Sequence, residues 1–221
     1  GVVADFARSG HAVSFLNALT SAICGARFRT SGSSSPGRTR SWFCRSGKSR
    51  CAQRLAENAG KRRLFIATAP ILDEEMRRKV ARHQEMRRGR GWQTREETLD
   101  LVDCLRKADG QDVVLCDCLT LWVNNLLYAA SQNGLTLEED EIARRAREVC
   151  ATARSIPARV FLVTNEVGMG IVPAGELSRR FRDLAGRCNQ EIASAADSVI
   201  LTVSGLPIQL KGSGSENGNP Q

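Results

Sequence analysis

The sequence holds little that could ligate a transition metal or thread a membrane. Only two histidines occur in 221 residues, none of the eight cysteines stands in a C-x-x-C pair, and no run of 18 apolar residues is present. Neither a zinc site of ordinary spacing nor a membrane span is expected. Aromatic residues are scarce at 5%, and no basic stretch is interleaved with stacking rings as single-strand nucleic-acid binders require. Acidic side chains are outnumbered, 24 against 32 Lys and Arg, for a formal net charge of +8. That balance suits an anionic ligand and places phosphate or nucleotide ahead of nucleic acid, although a solvated arginine surface accounts for the same number. The scattered cysteines read as small buried hydrophobes in a reducing, cytoplasmic compartment. What remains, 42% hydrophobic and 25% charged, is ordinary for one globular domain with a real core.

What is present centres on Arg45-Ser46-Gly47-Lys48-Ser49, the second half of a phosphate-binding loop, G-x-x-x-x-G-K-[ST]. In such a loop backbone N–H groups and a helix N-terminus curl around phosphate oxygens. Lys48 reaches the β- and γ-phosphates, and the Ser49 hydroxyl takes a place on Mg²⁺. The first half departs from the motif, because Trp42 stands where its first glycine belongs and Phe43 follows. Asp117, ending an apolar run, is where such folds hold the second Mg²⁺ contact. A strand-end aspartate capping the next helix is an equally good account of it taken alone.

Residues 1–41 differ from the rest, with five arginines, one acid (Asp5) and a Ser/Gly/Pro/Arg cluster from Ser31 to Arg40. Three readings compete: a targeting peptide, a disordered extension, or out-of-frame sequence; the last two rank above the first. Pro36 to Ser41 cannot be the buried parallel strand that a phosphate loop must leave, so that strand is missing on this reading. Orderly periodicity begins at Ser49. Helices are expected over Ser49–Asn58, about Ile71–Arg88, Glu96–Lys107, Leu119–Ala130, Thr136–Arg154 (with Thr136 and Glu139 as a capping box) and around Leu177–Ala195. Strands are expected at Arg63–Thr68, Asp112–Asp117, Ala158–Val163 and Asp197–Ser204. Leu177, Phe181, Leu184, Cys188, Ile192 and Ala195 mark the inward face of the last helix. Alternating strands and helices predict an α/β fold with a parallel sheet and helices on both faces. The division is 1–41 as the anomalous segment, 42–211 as the domain and 212–221 as a polar disordered tail.

His83 falls on the apolar stripe Leu72, Met76, Val80. A histidine so placed is more often a core residue than a catalyst. Flanking Arg82, Arg87, Arg88 and Arg90 favour neutral imidazole, which can attack an α-phosphate and form a phosphoramidate. Several stretches together carry a resemblance: Arg45 to Arg50, Phe65 to Ala69, Leu72 to Met76, His83 with Trp92, Asp117 to Trp122, Val163 to Pro173 and Phe181 to Asn189. From about Cys44 to Lys211 the chain resembles the bifunctional adenosylcobinamide kinase / adenosylcobinamide-phosphate guanylyltransferase family of cobalamin biosynthesis. The resemblance implies a three-layer, RecA-like phosphate-loop domain that assembles as a homotrimer. It implies transfer of a phosphoryl group from ATP or GTP to adenosylcobinamide, then of GMP from GTP through a histidine, for which His83 is the match. Lys48 is implied as a second catalytic residue. Nucleotide contacts carried over are Cys44, Arg45, Ser46, Gly47, Lys48, Ser49, Ala67, Thr68, Ala69, Gln84, Glu85, Met86, Arg87, Glu96 and Asp117, with Ser49 and Asp117 on Mg²⁺. The segment from His83 to Trp92 is one residue longer than the family pattern, and the family's strand and two glycines before Arg45 are absent. The alternative is a non-catalytic or damaged phosphate-loop paralogue.

Overall fold

A computed structural model describes residues 13–18 (as backbone), 47–70, 77, 78, 81, 85 and 87–212. Among these, the strands are β1 (Val13–Ala18), β2 (Arg63–Ala67), β3 (Trp92–Glu96), β4 (Val113–Asp117), β5 (Arg159–Val163), β6 (Ser198–Val203) and β7 (Leu206–Lys211). The helices are α1 (Lys48–Ala59), α2 (Leu101–Arg106), α3 (Leu119–Gln132), α4 (Glu139–Ser155) and α5 (Glu176–Ala195). One sheet runs in the order β3-β2-β4-β5-β1-β6-β7, parallel throughout except for β7, which pairs antiparallel with β6.

Period-two burial explains the layers. Leu64, Ile66, Val114, Cys116, Val160 and Leu162 turn to one face, where α2, α3, α4 and α5 cover them. Phe65, Ala67, Val113, Leu115, Phe161 and Val163 turn to the other, beneath Cys51, Ala52, Leu55 and Ala56 of α1. The central strands are buried on both faces, as crossover helices on a parallel sheet require. In α5 the inward stripe is Leu184, Cys188 and Ile192, spaced by four. Among the described residues the cysteines are packing residues: Cys51, Cys104, Cys116, Cys118, Cys150 and Cys188 are buried and unbridged.

Five expectations are corrected. The central strand is not missing: Val13–Ala18, inside the segment set apart above, lies between β5 and β6 and pairs Val13 with Val160 and Ala18 with Thr202. The strand lies about thirty residues before Gly47 instead of directly ahead of it. The helix expected over Glu96–Lys107 is split, because Trp92–Glu96 pairs with β2 and α2 starts only at Leu101, capped by the Asp100 carboxylate on the Asp103 N–H at 2.9 Å. Thr136 does not cap α4; Glu138 does, without a side-chain bond, and the acids Glu139, Asp140 and Glu141 favour that terminus through the helix dipole. Leu177 is 65% exposed instead of inward. The chain also continues past Ser204 as β7, whose Pro207 is tolerated because the strand is an edge. The stripe Leu72, Met76, Val80, His83 lies outside the described residues.

Asp112 fastens the bottom of the sheet. Its carboxylate accepts the backbone N–H groups of Lys61 (3.0 Å) and Arg62 (2.9 Å) and two guanidinium donors of Arg62, the nearer at 2.7 Å. The Arg62 side-chain bonds, followed by the backbone donors, hold this carboxyl far below its ordinary value. A depressed carboxyl contributes stability above the unfolded pKa of about 4 and loses it as pH falls toward the native one. Asp112→Asn is expected to melt below wild type at pH 7, with the gap shrinking as pH is lowered beneath about 4. Equal melting temperatures at pH 7 would contradict this.

Candidate functional site

The strand ends align the candidate residues. Glu96 pairs with Ala67, Ala67 with Asp117, and Asp117 with Val163, so one row across the carboxyl edge of β3, β2, β4 and β5 carries three of them. Ligands of open parallel sheets bind outside this edge. Above it stands the N-terminus of α1. Its cap is Gly47, whose φ of 80° is a conformation glycine adopts without strain. A Cβ there would also stand 2.7 Å from the Gly205 Cα, in the β6–β7 turn. Lys48 and Ser49 follow, each half-buried.

The charge of Lys48 reaches the Asp117–Cys118 strand end. Burial, followed by the charge of Asp117, pushes the Cys118 thiol up to about 11, and the Lys48 ammonium opposes the shift. Thr68 ties β2 to the same point. Its hydroxyl accepts the Cys118 N–H and donates to the Cys118 carbonyl, both at 2.7 Å, while its own N–H donates to the Asp117 carbonyl at 3.4 Å. Fully buried, that hydroxyl is committed to holding Asp117 in place. Asn125 fixes the next peptide by donating to the Thr68 carbonyl at 2.8 Å and to the Thr98 carbonyl at 3.1 Å.

Arg87 is a buried charged group with two unsatisfied nitrogens. It is 4% exposed, its guanidinium lies 3.6 Å from the centre of the Phe65 ring, and its Nε and Nη1 have no hydrogen-bond partner. Burial lowers its pKa and the charge of Asp117 opposes this. A desolvated cation with donors free is arranged to receive an anion. Phe65, the platform, was missed as a site residue because in the sequence it reads only as one position of an apolar strand.

The 164–166 turn beside Val163 is held by a polar network. Thr164 spends its proton on Asn189 Oδ1 at 2.8 Å, so in the 3.2 Å contact between the two hydroxyls Thr120 is the donor. Thr120 Oγ1 accepts from the Asn165 backbone and side chain, and Asn189 Nδ2 donates to the Asn165 carbonyl at 3.0 Å. Of the remaining candidates, Glu85 is exposed, Ala69 is half-buried, and Cys44, Arg45, Ser46, His83, Gln84 and Met86 lie outside the described residues.

The family model described as cobinamide kinase / cobinamide phosphate guanyltransferase matches residues 43–210. The chain belongs to this family. It is 45% identical over 169 residues to the bifunctional adenosylcobalamin biosynthesis protein CobP of Pseudomonas aeruginosa, covering 76% of this chain and 93% of the relative. With CobU of Salmonella typhimurium identity is 43% over 175 residues, covering 76% and 95%. A solved KaiC-like protein of Pyrococcus horikoshii aligns at 13% identity with a TM-score of 0.44, covering 87% of this chain and 72% of its own. Lys48, Phe65, Arg87, Asp117 and the Thr164–Asn189 pair all fall inside the stretch matched by the cobinamide kinase / guanyltransferase family. β1 lies before it.

Proposed function

We propose that this chain phosphorylates adenosylcobinamide with ATP or GTP and then transfers GMP from GTP to the product, giving adenosyl-GDP-cobinamide. The observation that carries the reading is Arg87, a buried guanidinium with unpartnered donors that feels the charge of Asp117, the sheet-edge carboxylate whose neighbour Cys118 feels Lys48. Lys48, Arg87 and the N–H groups at the start of α1 neutralise charge that develops on phosphoryl oxygens. Ser49 and Asp117 offer the hard oxygen donors that Mg²⁺ accepts together with substrate phosphates, and their placement at the helix start and the strand end fits that ion. When bound, Mg²⁺ supplies electrostatic stabilisation of the same oxygens.

In the second reaction His83 attacks the α-phosphorus of GTP. The N–P bond forms as the bond to pyrophosphate breaks; the phosphate of the corrinoid substrate then displaces the imidazole and takes the guanylyl group. Arg87, four residues after His83, is the positive group that accompanies this step. A homotrimer in a cytoplasmic setting, with a neighbour completing each site, is part of the proposal.

Incubation with α-³²P GTP followed by denaturation tests it. Wild type is expected to retain label, and His83→Ala to retain none while still phosphorylating adenosylcobinamide. An unlabelled wild type sinks the guanylyl-histidine step. A His83→Ala chain that labels normally removes His83 from the role.

A further inference from the structure

We propose that Glu57, in the last turn of α1, is a positioning residue that sets where Arg87 stands; this rests on the reading above that Arg87 receives nucleotide phosphate. Glu57 Oε1 accepts the indole N–H of Trp92 at 3.2 Å, and Oε2 pairs with the Arg90 guanidinium at 3.6 Å. The Glu57 carbonyl accepts Arg63 Nη2 at 2.7 Å. Arg63 grips the same turn from the other side: Nη1 donates to the Arg90 carbonyl, and its backbone N–H donates to the Gly91 carbonyl at 3.2 Å. Its guanidinium lies 6.0 Å from the centre of the Trp92 ring. Gly91 closes the turn at φ 72°, where a Cβ would stand 2.7 Å from the Lys61 carbonyl.

Arg87 immediately precedes this clamped turn, and its carbonyl accepts the Arg90 N–H at 3.1 Å. Trp92 meets Phe65 edge to face at 6.3 Å, and Phe65 is the ring on which the Arg87 guanidinium rests. The helix that opens at Lys48 and Ser49 therefore closes on the group that fixes Arg87 from the far side. One rigid element spaces the two cationic halves of the site. The Glu57 side chain is 25% exposed, so its bonds are less screened than those of an open surface pair.

Binding of a fluorescent GTP analogue with Mg²⁺ to the full chain, arranged as a double-mutant cycle, tests the coupling. Glu57→Ala is expected to weaken binding about tenfold in the wild-type background and less than about twofold in an Arg87→Ala background. Glu57→Gln retains an acceptor for the indole, and Trp92→Phe retains the ring without its donor; each is expected to cost about threefold, which keeps the test open if Glu57→Ala folds poorly. Equal weakening by Glu57→Ala with and without Arg87 would make Glu57 a general support of the fold and overturn the proposal. So would binding by Glu57→Ala at the wild-type level. If Arg87→Ala itself binds like wild type, the phosphate role of Arg87 fails first and takes the proposal with it.

Discussion

Lys48→Ala is expected to lower kcat/KM for phosphoryl transfer to adenosylcobinamide by roughly 10³-fold, since one preorganised positive group opposite developing charge is worth that much in a partly desolvated site. Lys48 is the first residue of α1, its charge is felt at Cys118, and Cys118 follows the carboxylate that ends β4. The lysine thus opens the helix and its charge reaches the strand end that Asp117 closes, the position the proposed function gives to a triphosphate. Far-ultraviolet circular dichroism is expected to be unchanged, because Lys48 is half-buried and outside both apolar clusters. A variant that retains phosphoryl transfer within tenfold of wild type would remove Lys48 from the machinery.

Arg87→Met is expected to separate stability from binding. The guanidinium is buried with two nitrogens unpartnered, a cost that a methionine of similar reach relieves while keeping contact with Phe65. The variant is expected to unfold about 1–3 kcal/mol later in urea than wild type. Its affinity for GTP with Mg²⁺ is expected to fall by about 100-fold, the scale of a buried charge-assisted pair lost to a phosphate. Opposite signs in the two measurements mark a residue kept for its ligand. Loss of both would make Arg87 a structural support of β2, and the site would lose its α-phosphate partner.

Much of this site could be read from the chain alone. Gly47-Lys48-Ser49 opening a helix and Asp117 closing an apolar strand are local patterns, and their chemistry follows from residue type and spacing. The pairing that sets Glu96, Ala67 and Asp117 in one row could not be read, since register between strands far apart in sequence is decided by packing. No strand is expected at Trp92–Glu96 from the sequence, because an exposed edge strand has no apolar alternation to announce it. Arg87 was carried by family likeness, and its isolation over Phe65 emerges only when β2 and the turn at 88–91 are brought together. Val13–Ala18 illustrates the same limit from the other side. Six residues of suitable composition in an otherwise basic, Ser/Gly-rich stretch give no period strong enough to declare a central strand.

The near-contact between Gly47 and Gly205 makes the last hairpin a backstop for the start of α1. Ending the chain before Gly205 therefore unprops that helix start from behind. Such shortening should register first as weakened triphosphate capture, with the buried layers on either side of the sheet still intact.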